Sequence, residues 1–127
     1  MTKLLAEEES DTSALGRAER LRPSRELLGI AVCGYSRDPD AGPEVGEVRA
    51  LFVSSRRWRG GVGRELMEAA LADLRERGFA QATLWTLAAN ERANGFYEAH
   101  GFRPDGTERT EEAWAHLPQL RYRRDLA

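Results

Sequence analysis

The residues best placed to do chemistry lie between positions 53 and 66. This segment reads Val-Ser-Ser-Arg-Arg-Trp-Arg-Gly-Gly-Val-Gly-Arg-Glu-Leu, so four arginines and three glycines follow an apolar stretch. Glycine lets a backbone turn sharply and approach a ligand closely. Free N–H groups at the start of a helix, with arginines beside them, bind phosphate oxygens. The segment therefore predicts an anion-binding loop, and a glycine-rich turn with solvated arginines is the alternative.

Two well-known phosphate-binding motifs do not fit this segment. It lacks the Lys-Ser/Thr pair of a Walker A loop, and Leu66 stands where Gly-x-Gly-x-x-Gly would place its third glycine. The other reactive side chains are isolated. Cys33 is the only cysteine and lies in an apolar run, which favours packing over catalysis. His100 and His116 lack the spacing of metal ligands, so no metal site is predicted.

Hydrophobic patterning predicts the elements that position this loop. Strands are predicted over residues 27–35, 48–53, 81–87, 102–109 and 117–125. After Gly63 a three- and four-residue apolar spacing predicts a helix that Gly78 ends; the apolar face comprises Leu66, Met67, Ala70, Leu71 and Leu74. A second, short helix is predicted over 91–100, burying Ala93, Phe96 and Tyr97. This order predicts an α/β fold with a mixed central sheet and flanking helices.

Composition and charge exclude several classes of protein. The 127 residues suit one domain, and 41% hydrophobic with 31% charged residues is typical of a soluble globular chain. A net charge of −2 argues against a nucleic-acid-binding protein. No apolar run approaches the ~20 residues that span a membrane, and the N-terminus does not resemble a signal peptide. The expected location is therefore the cytoplasm.

The N-terminal segment differs from the rest of the chain. Residues 1–26 are polar, acidic at first and then basic, and they predict a mobile or loosely docked arm, partly helical around Ser13 to Leu21. Residues 27–127 are expected to form the single domain.

Two stretches of the sequence carry a family resemblance. The glycine–arginine segment resembles motif A of the GNAT acetyltransferases, Gln/Arg-x-x-Gly-x-Gly/Ala: Gly61 and Gly63 match, while Trp58 stands at the Gln/Arg position. Residues 90–102, Asn-Glu-Arg-Ala-Asn-Gly-Phe-Tyr-Glu-Ala-His-Gly-Phe, look like motif B, Asn-x-x-Ala-x-x-Phe-Tyr-x-x-x-Gly-Phe, with every fixed position present. The resemblance covers roughly residues 27–126.

The resemblance implies transfer of an acetyl group from acetyl-CoA to a primary amine of a small molecule or peptide, by direct attack and without a metal. In this family two central parallel strands splay apart and the pantetheine arm enters the gap; here these would be strands 48–53 and 81–87. The implied cofactor-binding residues are Leu51, Phe52 and Val53 for pantetheine, Trp58, Arg59, Gly60, Gly61, Val62, Gly63 and Arg64 for the pyrophosphate, and Asn90, Ala93 and Asn94 near the pantetheine end.

Two residues are the implied catalysts. Tyr97 occupies the family's general-acid position, and a core aromatic is the alternative. Glu47, at the start of the strand that leads to the splay, could act as the general base, and a surface carboxylate on a strand edge is the alternative.

The N-terminal part looks shortened, because family members usually carry one strand and two helices before the strand at 27–35. A homodimer that covers the exposed flank of this strand is one expected consequence. Two other functions stay open. One is a CoA-binding module without transferase activity, and the other is a nucleic-acid-binding domain that uses Arg56, Arg57, Arg59 and Arg64.

Overall fold

The structure, a computed structural model, describes residues 1–7, 27–54 and 60–127 together with the backbone of residues 15–17. Its strands and helices are β1 (Thr2–Glu7), β2 (Leu15–Arg17), β3 (Leu27–Tyr35), β4 (Val45–Val53), α1 (Val62–Glu76), β5 (Gln81–Leu87), α2 (Glu91–Ala99), β6 (Arg103–Arg109) and β7 (Gln119–Asp125). A single 3₁₀ turn, Glu112–Trp114, lies between β6 and β7.

The strands form one seven-stranded sheet in the order β2-β1-β3-β4-β5-β7-β6. Strands β4 and β5 are parallel, and every other neighbouring pair is antiparallel. A parallel pair needs a crossover connection, which α1 provides. The predicted α/β fold with a mixed central sheet is therefore confirmed.

Helix α1 packs its apolar face against the sheet as its periodicity predicted. Leu66, Met67, Ala70 and Leu74 are fully buried, and Leu71 is nearly so. Gly78 follows the helix with a φ of +87°, a left-handed conformation that glycine adopts without steric cost. The helix begins at Val62, slightly earlier than predicted.

The expectation of an N-terminal arm outside the sheet is wrong for the described strands. Leu4, Leu5 and Ala6 of β1 are buried, and Leu4 pairs with Ala31 of β3. The predicted helix around Ser13 to Leu21 is contradicted at Leu15–Arg17, which form β2; the rest of that segment lies outside the described residues. The short apolar run at Leu4–Ala6 does not predict a strand by itself, because its burial depends on pairing with the distant β3.

The placement of β1 also removes the reason for expecting a homodimer. The flank of β3 that a second copy was expected to cover pairs with β1 of the same chain along Thr2–Glu7. In the described sheet, β3 is therefore an interior strand and presents no bare edge.

Strands β4 and β5 pair over only part of their length. Val45, Gly46 and Glu47 pair with residues 81–83, and the pairing ends there although both strands continue. Arg49 is an extra residue in β4, because Cys33 pairs with Val48 while Val32 pairs with Ala50. A bulge of this kind bends a strand and increases its twist. The two strands consequently separate toward their carboxyl ends, as the family resemblance implied.

Candidate functional site

The gap between the carboxyl ends of β4 and β5 is the centre of the candidate site. Leu51 and Val53 are half-buried and pack against the core, whereas Phe52 is 58% exposed. One edge of this part of β4 pairs with β3, so its other edge faces the gap. The three residues implied to contact pantetheine therefore lie along one wall of the gap.

The start of α1 lies directly beyond the end of β4. Gly61 occupies the N-cap position with a φ of +84° and offers no side chain to cap the helix. The first helical hydrogen bond runs from the Glu65 N–H to the Gly61 carbonyl at 3.0 Å. The N–H groups of residues 62–64 precede that bond and carry the positive end of the helix dipole. This helix end can accept an anion.

Some of the remaining residues of the predicted loop are described by the structure and others are not. Gly60 and Arg64 are exposed, while Val62 is buried. Trp58 and Arg59, which were also expected to bind the pyrophosphate, lie outside the described residues, as do Arg56 and Arg57.

Gly63, from the segment that resembles motif A, lies beside Phe96, from the segment that resembles motif B. A Cβ atom at this position would lie 3.5 Å from ring atoms of Phe96 and 3.5 Å from the Val53 side chain. The end of β4, the start of α1 and the middle of α2 therefore meet at one glycine.

Helix α2 begins immediately after β5. Asn90 caps it, because its side-chain oxygen accepts a hydrogen bond from the Ala93 N–H at 3.2 Å. Asn90 N–H in turn donates to the carbonyl of Leu87, the last residue of β5, at 3.1 Å. The cap satisfies one of the helix's free N–H groups and fixes where the helix starts.

Asn94 is the one buried residue of α2, whereas Ala93, Phe96 and Tyr97 are half-buried rather than buried as predicted. The Asn94 carboxamide accepts a bond from Thr86 Oγ1 at 2.8 Å and donates to the Leu87 and Ala88 carbonyls, both at 3.3 Å. Its polar atoms are thus directed at the end of β5.

Tyr97 combines a packed ring with a hydroxyl that has no hydrogen-bond partner among the described residues. The ring centroid lies 5.7 Å from that of Phe96, 6.5 Å from Phe102 and 6.3 Å from Tyr122. Burial raises the pKa of Tyr97 above its usual value of 10.0. The hydroxyl therefore stays protonated at neutral pH and can donate a proton or a hydrogen bond.

Glu47 lies where β4 and β5 separate, and it is only 3% exposed. Its two carboxylate oxygens accept bonds from the Arg37 backbone N–H at 3.1 Å and from Arg37 Nη2 at 3.3 Å. The alternative of a surface carboxylate on a strand edge is wrong, because the loop after β3 returns over Glu47 and β5 covers the other edge of the strand.

The loop between β3 and β4 is held by a cluster that sequence reasoning did not identify. Every N–H of the Arg121 guanidinium is bonded: Nε to Asp105 at 2.7 Å, Nη1 to Asp38 at 3.2 Å and Asp40 at 2.8 Å, and Nη2 to Asp40 at 2.8 Å and Thr107 at 3.1 Å. Trp85 Nε1 also donates to Asp38, at 3.0 Å. We call these residues the Arg121 cluster.

The Arg121 cluster holds Arg37 in place beside Glu47. Asp38 follows Arg37 directly, so the residue that Arg121 anchors is adjacent to the one that holds Glu47. Residues of β5, β6, β7 and the loop converge here from distant parts of the chain. The only sign of this cluster in the sequence is the density of charged residues in these segments, which does not specify which charged residues pair.

Cys33 plays no part in this site. It is fully buried, and its Sγ lies 3.6 Å from Asp73 Oδ2. Burial, followed by the nearby Asp73 carboxylate, raises the pKa of the thiol to about 12. A thiol in this state is a poor nucleophile, as its apolar sequence context indicated.

Two further properties concern the described part of the chain. No group of three or more His, Cys, Asp or Glu side chains there could hold a metal ion. Its helices are all too short or too polar to cross a membrane.

Comparison with known proteins agrees with this geometry. The model of the acetyltransferase (GNAT) family matches residues 8–102. Mycothiol acetyltransferase of Streptosporangium roseum is 38% identical over 69 residues, which are 54% of this chain and 19% of that protein. The match therefore spans about a fifth of that relative's length.

Solved structures share the fold. Ard1 from Thermoplasma volcanium superposes with a TM-score of 0.68 and 24% identity, over 80% of this chain and 64% of that chain. A chain of the NatC complex bound to Gag peptide and CoA superposes with a TM-score of 0.70 and 18% identity, over 89% and 69% of the two chains. Since the family model covers most of the sequence, the chain belongs to the GNAT acetyltransferase family.

Proposed function

We propose that this protein transfers the acetyl group of acetyl-CoA to a primary amine by direct attack. The observation that carries the proposal is the separation of β4 from β5 beyond Glu47, directly before a helix whose glycine cap leaves its N-terminal N–H groups open to an anion. Family membership supports acetyl-CoA as the donor, and the CoA bound in the NatC structure agrees with it.

The cofactor extends along the gap and ends at α1. Leu51, Phe52 and Val53 contact the pantetheine arm, whose amides pair with the strand backbone as an added strand would. A backbone N–H near Leu51 or Phe52 holds the thioester oxygen as charge develops on it.

The two ends of the cofactor contact different elements. The pyrophosphate lies at the predicted loop 58–64 and binds the N–H groups at the start of α1. Asn90 and Ala93 lie near the pantetheine end, at the beginning of α2, and Asn94 supports them from within the same helix.

The chemical step needs one proton acceptor and one proton donor. The amine nitrogen attacks the thioester carbonyl, the carbon–sulfur bond breaks, and no covalent enzyme intermediate forms. Glu47 takes the proton that the amine loses, directly or through a water molecule. Tyr97 gives its proton to the departing thiolate, whose conjugate thiol has a pKa near ~8.5. Because the pKa of Tyr97 is raised, its hydroxyl is still protonated when the thiolate leaves.

The acceptor is proposed only as an amine class, either a small molecule or a peptide. One relative is named a mycothiol acetyltransferase, and the NatC structure holds a Gag peptide. Either kind of amine would approach the thioester on the side where Glu47 lies.

Two measurements test this function. Calorimetry should show binding of acetyl-CoA, and a thiol assay should show CoA release with at least one member of a panel containing a short peptide with a free N-terminus, an aliphatic diamine and an amino sugar. Affinity without thiol release would support a CoA-binding module instead. Absence of CoA binding together with a steeply salt-dependent shift of an oligonucleotide would support a nucleic-acid-binding domain.

A further inference from the structure

Helix α2 carries the proposed general acid, and the only side chain that it buries is polar. It has nine residues, and isolated helices of this length are marginal in water. Phe96 and Tyr97 are only half-buried, and the one side chain of the helix that is buried is the polar Asn94. What fixes the helix on the sheet must therefore include the contacts of Asn94.

Those contacts all lead to the end of β5. Thr86 Oγ1 donates to Asn94 Oδ1 at 2.8 Å, and Asn94 Nδ2 donates to the carbonyls of Leu87 and Ala88 at 3.3 Å. Thr86 is 6% exposed and Asn94 is 8% exposed, so water competes little for these bonds. The carboxamide uses three of its four hydrogen-bonding positions on one strand end.

Tyr97 lies three residues after Asn94 on the same helix, almost one turn further along. A rotation or slide of α2 on β5 would move the Tyr97 hydroxyl, which extends beyond the ring that contacts Phe102 and Tyr122 at 6.5 and 6.3 Å between centroids. Proton transfer requires hydrogen-bond reach, and a misplacement of about 1 Å can cost ~10²-fold in rate.

We infer that Thr86 and Asn94 are positioning residues: their buried bond locks α2 to β5 and so sets the Tyr97 hydroxyl at the reacting sulfur. This inference rests on the proposed function. It also differs from the expectation that Asn94 itself contacts the cofactor, because the carboxamide is directed at the end of β5.

Thr86→Val is the informative variant, since it keeps the shape of the side chain and removes the donor to Asn94. Thr2→Val is the control. It removes a threonine hydroxyl that accepts a bond from Arg77 Nη1 at 3.2 Å, on β1, which β3 and β4 separate from β5 in the sheet. Both variants should fold, which circular dichroism would verify, and Asn94→Asp provides a second variant that changes the charge but keeps the shape.

The expected result is a roughly 10-fold or greater fall in kcat for Thr86→Val with unchanged affinity for acetyl-CoA, and no such fall for Thr2→Val. In a Tyr97→Phe background, Thr86→Val should cause almost no further loss, because the group that it positions is already missing. An equal loss in both backgrounds, or no loss at all, would overturn the inference.

Amide hydrogen exchange of α2 provides a readout that does not depend on turnover. Thr86→Val should speed exchange in α2 and leave α1 unchanged. If the native protein turns over no amine, the proposed function has failed, and exchange then decides whether the lock exists. Unchanged protection of α2 would overturn it in either case.

Discussion

Glu47 and Thr83 form the last residue pair between β4 and β5, and the two parallel strands diverge from that point. A buried carboxylate therefore lies at the apex of the gap in which the thioester is proposed to lie. Its partner Arg37 comes from a loop that the Arg121 cluster fastens to β5 and β7.

The first prediction concerns this carboxylate. Glu47→Gln keeps an oxygen for the Arg37 N–H but removes the proton acceptor, so kcat/KM for the amine should fall by about 10²-fold or more while acetyl-CoA affinity is unchanged. Steady-state kinetics and calorimetry would measure the two effects. Arg37→Met is the control that removes the ion pair alone; an equal fall for both variants would identify Glu47 as a structural residue.

The second prediction concerns the proposed acid. Tyr97→Phe keeps the ring packing and should lower turnover by about 10²–10⁴-fold with unchanged cofactor affinity. Tyr122→Phe is the matched control, because it removes another tyrosine hydroxyl near the same ring cluster, one that donates to Glu98 at 3.1 Å. Similar rates for Tyr97→Phe and the native protein, with chemistry rate-limiting, would reduce Tyr97 to a packing residue.

The pH profile gives an independent check on Tyr97. Its pKa is raised above 10.0 by burial, and the donor is the protonated form. The proton is therefore present throughout the neutral and mildly alkaline range and is lost only above pH 10. A loss of rate centred between pH 7 and 9 that disappears in Tyr97→Phe would contradict this assignment.

The third prediction concerns the helix end that is proposed to hold the pyrophosphate. Gly63→Asp should weaken acetyl-CoA binding on the order of 10²-fold, since a carboxylate at close range repels the phosphates. Gly63→Asn has nearly the same volume without the charge, and the contacts of a Cβ at 3.5 Å can be accommodated. If both variants bind equally well, the pyrophosphate lies elsewhere.

The helices and the central strands could be predicted because their signals are local. Leu66, Met67 and Ala70 recur at helical spacing, so α1 could be assigned from sequence alone. Strand β1 could not, since Leu4 and Leu5 form a short apolar run whose burial depends on pairing with β3, more than twenty residues away.

The candidate site follows the same division. The places of Gly61 and Gly63 at the start of α1 and of Tyr97 on α2 could be predicted because the family motifs are contiguous in sequence, and their roles stay predictions. The burial of Glu47 and the direction of the Asn94 carboxamide could not be predicted. Each depends on a contact with another segment of the chain, and no sequence motif marks which segments meet.

The fourth prediction concerns the Arg121 cluster. Arg121 is 5% exposed; its removal leaves the nearly buried Asp38 carboxylate without its cation and leaves Asp105 with Arg123 alone. Arg121→Met should lower the free energy of unfolding by about 3–5 kcal/mol, as breaking a buried ion pair does. Urea denaturation measures the change. Glu111→Gln, which breaks the exposed pair with Arg109, should cost no more than about 1 kcal/mol.

The fifth prediction concerns stability in acid. Burial acts to raise the pKa of Asp73, but hydrogen bonds from Thr2 and Cys33 and the charge of Arg77 outweigh it, so the net shift is downward. A carboxyl whose pKa is lower in the folded state stabilises the fold above its unfolded pKa of about 3.9 and loses that effect as the pH falls through its folded value.

Asp73→Asn should therefore lower the free energy of unfolding by about 1–3 kcal/mol at pH 7, and the difference from the native protein should shrink below about pH 4. Denaturation at several pH values would show this. Asp125→Asn, at an exposed position of β7, is the control and should change little. A difference that stays constant down to pH 2 would show that Asp73 acts through packing and not through its charge.

The burial of Cys33 has a practical consequence for enzymology. The only sulfhydryl of the protein is fully buried and has a pKa of about 12, so a chromogenic disulfide reagent has no reactive group on the native chain. Colour development in a reaction mixture then counts released coenzyme alone. A single turnover can be followed optically with the enzyme in excess over acetyl-CoA, a regime in which chemistry is separated from product release.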